Sequence, residues 1–370
     1  MPNIIYDARM ASHPGIGRYI RSLLEAMLEA TKDSTWQWTL IGHNLDLQNY
    51  LDHKHVSLRE CRIPIYSLQE QLCMRSFYQG GNVVHVPHFN VPVYNPPPHL
   101  IVTIHDLIYL RCEPYHKFPG QAYVLKKWIE RVARKAEQVI VVSEATQKDC
   151  WDYYPFLKNK THVIHEACHP SFLASSNPSR EILPDPYILY VGSMRYHKNT
   201  HGLIQVFLDL KKELPNPIHL VIAGKLDTRY IKSYPILQHI QQDSHIRWVP
   251  NASDAQLKSY YKNAQALILP SFYEGFGLPL LEAMGTGCPI LTSNRSSMPE
   301  IAQDAAHYFD PDSVDSMKRV IYNLLTNPAQ RKALKENGRR RLQAFSWTKA
   351  AQKTLALYEQ MVKSPNETPA

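Results

Sequence analysis

The 370-residue sequence has no apolar run of the roughly 18 residues that a membrane-spanning helix needs. Its first residues, Met1 to Asp7, lack the basic and apolar regions of a secretory signal and resemble a β-strand instead. Short-period repeats and low-complexity tracts are also missing. These absences predict a folded cytoplasmic protein that reaches a membrane, if at all, only at its inner face.

The cysteines lack the spacing of a functional set. The six cysteines contain no Cys-x-x-Cys pair, and their positions fit neither a zinc site nor a small disulfide scaffold. We expect them to be reduced, as in the cytosol. No His/Cys cluster has zinc spacing, so the sequence predicts no metal site.

Positive charge is in excess but dispersed. The formal net charge is +8 and the sequence pI is about 9.0, a balance that favours anionic partners. No Lys/Arg run is interleaved with aromatic residues, so we expect no nucleic-acid binding. One predicted helix has a concentration of basic residues: Lys126, Lys127, Arg131, Arg134 and Lys135. These residues form either a solvated helix face or a contact for an acidic membrane surface.

Short apolar β-branched runs alternate with amphipathic helical stretches along the chain. Near-continuous apolar strands are typical of a parallel sheet covered on both faces, so the pattern predicts an α/β protein with doubly wound, Rossmann-like sheets. The predicted strands are 3–6, 36–41, 83–86, 100–104, 139–142, 162–165, 187–191, 218–223, 246–249, 266–269, 289–292 and 307–309.

A polar, proline-rich joint interrupts this alternation at 174–186. We therefore predict two domains, and parallel sheets place the ligand crevice at the carboxyl ends of their strands. A substrate held in a cleft between the domains would be shielded from water. The predicted parts are an N-terminal domain at 1–178, a C-terminal domain at 179–345, a final helix at 346–363 and a disordered tail at 364–370.

The most specific segment follows the apolar strand 266–269. Pro279 suits the first residue of a helix, and glycines just before it leave the main chain bare. Backbone amides at a helix N-terminus bind anions, and a diphosphate would suit this position. The amides concerned are those of Gly275, Phe276, Gly277 and Leu278.

Two carboxylates flank this bare main chain. Glu274 lies in the loop, and Glu282 lies about one turn into the predicted helix. They are placed to hydrogen-bond the hydroxyl groups of two sugar rings, one on each side of a diphosphate. The plain alternative is a strand–turn–helix in which Glu282 is solvated.

Glu274 and Glu282, with seven residues between them around Gly-Phe-Gly-Leu-Pro, resemble the signature of the retaining glycosyltransferase family 4. The resemblance covers nearly the whole chain and is strongest over 187–312. It implies the GT-B fold, in which two Rossmann-like domains face each other. It also implies that Glu274 contacts the donor sugar, that Glu282 contacts the nucleotide ribose, and that the amides of 275–278 bind the sugar and the distal phosphate.

A second segment joins strand 187–191 to a helix through a glycine turn at Gly192 and a basic loop. Such a loop presents cations to a phosphate. The resembled family commonly has Arg-Lys-Asn here, and Lys198 matches directly. His197 stands where the arginine is usual, which leaves open whether Arg195 supplies the guanidinium or is a surface residue.

Two loops of the first half complete the candidate site. Gly15 and Gly17 permit close approach of the main chain to a ligand, or form a plain helix entry. A nicotinamide cofactor is not expected, because Ile20 replaces the third glycine of a dinucleotide motif. His105, after strand 100–104, is placed to donate to a phosphate or a sugar hydroxyl. The resemblance puts Gly15, Gly17 and His105 near the donor.

Two further patterns have weaker meanings. His85 to Asn90 resembles the family's acceptor-side loop, with a purely structural role as the alternative. Asp310-Pro311-Asp312 matches the Asp-x-Asp motif of metal-dependent glycosyltransferases of another fold, but proline favours a turn there. We expect Lys198, Arg195 and a helix N-terminus to replace Mg²⁺ at the leaving diphosphate.

Together these features predict a metal-independent, retaining transferase without a cofactor. Its donor is a GDP- or UDP-linked hexose, with mannose favoured, and its acceptor is a glycan or a lipid-linked glycan of bacterial surface polysaccharide or lipopolysaccharide. The predicted catalytic residues are Glu274, His105, Lys198 and Arg195. The alternatives are a nucleotide-sugar epimerase or sugar phosphorylase on the same fold, and a non-catalytic nucleotide-sugar-binding protein.

Overall fold

The computed structural model describes residues 1–13, 15–112, 120–173, 183 and 186–363. Its described residues form two compact units. The first unit ends at Glu166 and resumes at Ser346, and the second runs from Ala167 to Phe345. Most of the predicted joint at 174–186 and the whole tail at 364–370 lie outside the described residues.

The first unit is built on a parallel sheet of seven strands in the order β3-β2-β1-β4-β5-β6-β7. β3 was not predicted, because it is an edge strand with alternating polar residues and pairs only with β2. The bounds are β1 Asn3–Asp7, β2 Gln37–Gly42, β3 Val56–Glu60, β4 Val83–Val86, β5 Leu100–Ile104, β6 Gln138–Val141 and β7 Thr161–Val163.

Amphipathic helices cover this sheet. The predicted apolar face of α1 is confirmed, since Ile20, Leu23, Leu24, Met27 and Leu28 are all buried. The last helix, α16, packs against α1 and β4. The bounds are α1 Ile16–Thr31, α2 Asn44–Leu47, α3 Leu68–Phe77, α4 Ile108–Arg111, α5 Gln121–Lys135, α6 Glu144–Tyr153 and α16 Trp347–Lys363.

The second unit contains a six-stranded parallel sheet in the order β10-β9-β8-β11-β12-β13. Counted within the unit, this is the order 3-2-1-4-5-6 of a doubly wound Rossmann sheet. Every strand of this unit was predicted to within one residue. The bounds are β8 Tyr187–Val191, β9 His219–Ala223, β10 Ile246–Val249, β11 Leu267–Leu269, β12 Ile290–Ser293 and β13 Ala306–Phe309.

Helices of the second unit bury their apolar faces in one core. Leu203, Val206, Phe207 and Leu210 of α8 lie in it, as the sequence predicted. The bounds are α7 Pro170–Leu173, α8 Thr200–Glu213, α9 Thr228–Ser233, α10 His239–Gln242, α11 Asp254–Asn263, α12 Leu278–Thr286, α13 Met298–Ala302, α14 Val314–Leu325 and α15 Pro328–Leu342.

The ends of β8 and β9 approach so closely that one position tolerates only glycine. Gly224 has φ +153°, and a Cβ there would lie 2.0 Å from the carbonyl oxygen of Gly192. We expect Gly224→Ala to lower the stability of the second unit by about 2–4 kcal/mol, because both backbone strain and a steric clash must be relieved. Urea denaturation of Gly224→Ala and of Gly287→Ala measures this loss. Gly287 also has positive φ, but its Cβ position faces open space. Gly287→Ala therefore reports the backbone strain alone, and the larger loss expected for Gly224→Ala reports the steric clash as well.

His85 ties α16 to the first sheet. It is fully buried, and its ring nitrogens hydrogen-bond the hydroxyl groups of Tyr358 and, at 3.0 Å, Thr103. Burial lowers the pKa of His85 from its ordinary 6.5 to about 3. The structural alternative for the 85–90 cluster therefore holds at His85.

This depressed pKa makes a prediction about acid stability. The unfolded chain binds the His85 proton below pH 6.5 while the folded chain remains neutral, so stability from His85 is complete above pH 6.5 and is lost as the pH falls towards 3. We expect the wild type to lose more free energy of unfolding than His85→Gln between about pH 7 and pH 5. Equal pH slopes in urea titrations of the two proteins contradict this.

Candidate active site

The candidate site lies where the strand order of the second unit reverses. β8 and β11 are neighbours in the sheet although they are not consecutive in the chain. At such a switch point the loops after the two strands diverge and leave a crevice for a ligand. The loop after β8 holds Gly192 and Lys198, and the loop after β11 holds Glu274.

An ion pair joins these two loops. Lys198 Nζ lies 2.5 Å from Glu274 Oε1 and 2.6 Å from Oε2. Ser271 Oγ donates to Glu274 Oε1 at 2.7 Å. The Lys198 and Glu274 side chains are only 16% and 11% exposed, so water screens this pair poorly. The carboxylate is therefore held in one orientation, and the Lys198 ammonium group balances its charge.

Serines after β12 fix the main chain of the Glu274 loop. Ser296 Oγ and Ser297 Oγ both donate to the Glu274 carbonyl oxygen, at 2.5 and 3.0 Å. Ser297 Oγ also lies 3.0 Å from the Phe276 carbonyl oxygen. The sequence interpretation missed Ser271, Ser296 and Ser297, although their position just after the predicted strands 266–269 and 289–292 was a usable signal.

The bare main chain does precede a helix. α12 begins at Leu278, one residue before the predicted start at Pro279, and Gly277 caps it with φ 97° and no side-chain hydrogen bond. The positive end of the helix dipole therefore lies directly after the Glu274 loop. This is the arrangement in which Gly275, Phe276, Gly277 and Leu278 were predicted to face a diphosphate, and that role stays a prediction.

Glu282 is not the solvated residue of the plain alternative. It is 5% exposed, and its Oε2 accepts a hydrogen bond from the Tyr261 hydroxyl at 2.8 Å. A buried carboxylate with a fixed partner is oriented for recognition of a hydroxyl group. Contact with a ribose stays a prediction.

The two candidate cations of the basic loop, His197 and Arg195, differ in burial. His197 is buried, and burial together with the charges of Lys198 and Arg195 lowers its pKa well below the ordinary value. His197 is therefore neutral at pH 7 and offers a phosphate no positive charge. Arg195 is exposed on the same loop, which makes it the available guanidinium.

The three remaining predicted glycines differ in role. Gly192 has φ 147°, and its carbonyl oxygen is the group that Gly224 accommodates. Gly17 gives room to the chain itself, because a Cβ there would lie 2.3 Å from the Ala11 carbonyl oxygen. Gly15 has φ 79° and open space around its Cβ position, and its approach to a ligand stays a prediction.

His105 is held by the first unit through both ring nitrogens. Its Nε2 lies 2.9 Å from the Pro87 carbonyl oxygen, and its Nδ1 lies 3.4 Å from Glu166 Oε1. Burial alone would lower the pKa of His105, but the Glu166 carboxylate and the Pro87 carbonyl raise it overall. Both nitrogens face acceptors, which favours an imidazolium. His105 must release one partner before it donates to a donor substrate.

The acceptor-side cluster joins a charged network. Asn90 Nδ2 donates to Glu70 Oε1 at 3.2 Å, and the Arg9 guanidinium lies 2.9 Å from Glu70 and 2.7 Å from Asp7. Arg9 also lines a cavity of about 550 Å³ at the carboxyl ends of β1 to β3. A cavity of this volume is large enough for a sugar ring.

The Asp-x-Asp pattern forms ion pairs. Arg295 lies 3.0 Å from Asp310 Oδ1 and 2.9 Å from Asp312 Oδ2. Across the part of the chain that the structure describes, no group of three or more His, Cys, Asp or Glu side chains is arranged to hold a metal ion. Over the same residues, no helix combines the length and apolar character needed to cross a bilayer. The six cysteines, all within the described residues, form no disulfide bond.

Two family models match this chain. Residues 15–172 match the family described as Glycosyltransferase Family 4, and residues 174–341 match the family described as Glycosyl transferases group 1. The O-antigen chain mannosyltransferase B of Escherichia coli is 27% identical over 286 residues, which cover 75% of this chain and 74% of that protein.

Two solved structures share the fold. Sucrose-phosphate synthase from Thermosynechococcus elongatus has a TM-score of 0.78 at 20% identity, over 98% of this chain and 99% of that chain. HepE from Anabaena, solved with UDP and glucose, has a TM-score of 0.73 at 14% identity, over 97% and 100%. Two Rossmann-like parallel-sheet units with these relatives define an enzyme of the GT-B class, a glycosyltransferase. The chain belongs to glycosyltransferase family 4.

Proposed function

We propose that this enzyme transfers a hexose, with mannose favoured, from a nucleotide-diphosphate sugar to a glycan or lipid-linked glycan with retention of configuration. The Lys198–Glu274 pair carries the proposal, because a cation and an oriented carboxylate lie together on the loops beside the N-terminus of α12. The name of the E. coli relative supports mannose and a role in surface polysaccharide. The UDP and glucose bound to HepE support a nucleotide-sugar donor.

The proposed chemistry needs charge stabilisation more than a nucleophile. The bond between the anomeric carbon and the phosphate oxygen breaks, and its electron pair moves to the leaving diphosphate. An acceptor oxygen bonds to the same face of the sugar, and its proton passes to the leaving phosphate. Lys198, Arg195 and the amides of 275–278 stabilise the phosphate charge without a metal ion, while Glu274 orients the sugar and Glu282 the ribose.

We place the acceptor in the cavity of the first unit that Arg9 lines.

We also propose a cytoplasmic enzyme that touches an acidic membrane surface through α5. Lys126, Lys127 and Arg131 are exposed there, and the neighbouring Tyr123 is 66% exposed. Co-sedimentation with phosphatidylglycerol vesicles, but not with phosphatidylcholine vesicles, tests this contact; equal binding to both contradicts it.

A thermal-shift screen of nucleotide sugars tests the donor. A true donor at 100 times its dissociation constant stabilises the enzyme by about 2.7 kcal/mol. We expect GDP-mannose to give the largest shift.

A mass-spectrometric assay with and without glycan acceptors then separates the alternative functions, because an epimerase isomerises its sugar without acceptor and a binding protein forms no product. A phosphorylase instead consumes inorganic phosphate and a glycan. No shift with any nucleotide sugar contradicts the proposal.

A further inference from the structure

The second unit holds a cavity of about 380 Å³ whose lining includes neither Lys198 nor Glu274. Its walls come from the first turns of α8, from Phe272 after β11, from the turn that begins at Pro235 and from the start of α14. A main-chain hydrogen bond nevertheless links the cavity wall to a loop of the candidate active site. The Phe272 N–H donates to the His197 carbonyl oxygen at 2.7 Å.

Asn199 and Gly202 fix the shape of this cavity. Asn199 is buried in the left-handed region with φ 51°, and its Nδ2 donates to the Pro311 carbonyl oxygen at 2.9 Å. This bond ties the start of α8 to the loop after β13. A Cβ on Gly202 would lie 2.5 Å from Asn199 Oδ1, so any side chain at 202 would displace Asn199. The cavity is therefore preformed.

Aromatic rings make up much of its wall. The His201 ring stacks on the Tyr234 ring with centroids 4.1 Å apart and planes inclined by 26°. The Phe272 ring lies 6.3 Å from the His201 ring. All three residues line the cavity and are only half-buried, so they offer it flat, weakly polar surfaces.

Hydrogen bonds to Tyr230 hold the His201 ring in place. The Tyr230 hydroxyl oxygen accepts the His201 backbone N–H at 3.2 Å and lies 2.6 Å from His201 Nδ1. This contact fixes the orientation of the ring, and burial lowers the pKa of His201, which keeps the ring neutral at pH 7. The other ring nitrogen, Nε2, donates or accepts a hydrogen bond according to the tautomer of the neutral ring.

Acidic and amide groups complete the lining. Asp312 contributes a carboxylate, and Gln205 contributes an exposed amide. The charge of Arg295 does not make this region basic, because Arg295 pairs with Asp310 as well as with Asp312. A phosphate in the cavity would meet the Asp312 carboxylate, so the lining disfavours an anion.

We propose that this cavity binds a hexopyranose ring of a glycan, as a subsite separate from the donor. A pyranose ring combines C–H faces that pack on aromatic rings with hydroxyl groups that donate and accept hydrogen bonds. The cavity matches it with the walls of Tyr234 and Phe272, a polar ring nitrogen on His201 and an acceptor on Asp312. That the bound glycan is the acceptor chain rests on the proposed function, whereas binding of the ring does not.

Cavity filling tests the proposal. Val314 lines the cavity and is 40% exposed, so Val314→Trp places an indole in it without removing a polar contact. Arg319→Trp puts the same side chain on an exposed position of α14 outside the lining. Saturation-transfer NMR and calorimetry of the full chain with methyl α-mannoside, methyl α-glucoside and mannotriose are expected to show binding that Val314→Trp weakens by about tenfold or more and Arg319→Trp leaves unchanged.

A second variant distinguishes a loss of sugar binding from a loss of folding. His201→Phe keeps the stacking and removes the ring nitrogens, so we expect weaker sugar binding with an unchanged thermal shift by the nucleotide-sugar donor. Equal sugar binding by wild type, Val314→Trp and Arg319→Trp overturns the proposal, as does the absence of sugar binding or displacement of the sugar by a nucleotide. Failure of the proposed function is seen separately, as the absence of any nucleotide-sugar shift.

Discussion

Replacing Glu274 with glutamine is expected to reduce glycosyl transfer by about 10³-fold or more while the protein stays folded. The substitution keeps the side-chain volume and can still accept the Ser271 hydroxyl, but it removes the negative charge that two short contacts of 2.5 and 2.6 Å hold to Lys198. The sugar then loses its charged hydrogen-bond acceptor, and Lys198 is left without its counter-ion. Initial rates with saturating donor and circular-dichroism melting measure the two parts of this expectation.

Glu213→Gln provides a matched control. Glu213 pairs with Lys318 at 2.6 Å, but its side chain is 50% exposed, so this ion pair contributes little to stability and touches no candidate site. We expect normal transfer in this variant. Normal transfer in Glu274→Gln as well contradicts the placement of the donor at the loop after β11.

Replacing Lys198 with methionine is expected to lower kcat by about 10²–10³-fold. Lys198 is the cation nearest to Glu274 that the structure describes at the switch point. We expect it to stabilise the negative charge that develops on the leaving diphosphate in the transition state. Methionine keeps the length of the side chain, so the effect reports the charge. Single-turnover kinetics distinguish a loss in the chemical step from a loss in donor affinity.

Two further variants test this assignment. Lys318→Met removes a surface lysine of the same type and is expected to leave kcat unchanged. Arg195→Gln removes the exposed guanidinium and is expected to act in the same direction as Lys198→Met, since His197 is neutral. A large effect of Lys198→Met on the Michaelis constant alone, with kcat preserved, contradicts a role in stabilising the leaving group.

Most of the sheet architecture could be predicted from periodicity. Buried parallel strands give uninterrupted apolar runs, and twelve of the thirteen strands in the described residues were identified this way. β3 escaped because an edge strand has a solvated face and alternating residues, a pattern that loops also show. Boundaries such as Leu278 against Pro279 differ by one residue because a cap is a matter of main-chain geometry.

The candidate site was predictable to a lesser degree. Glu274 and Lys198 follow strands, and strand ends of a parallel sheet meet at one edge, so their proximity was foreseeable. Their direct pairing, the Ser297 contacts to the main chain and the Glu166 partner of His105 were not, because each joins residues far apart in the chain. The ionisation of His197 and His201 likewise depends on burial, which no local pattern specifies.

The sequence by itself determined the alternating strands and helices, the bare main chain before α12 and the family to which the chain belongs. These are local properties, set by residue type and spacing within a few turns. Only the tertiary structure decided which charges pair, which histidines are neutral and where the 380 Å³ cavity lies. The physical reason is that hydrogen bonds, desolvation and cavity shape depend on residues brought together from distant parts of the chain.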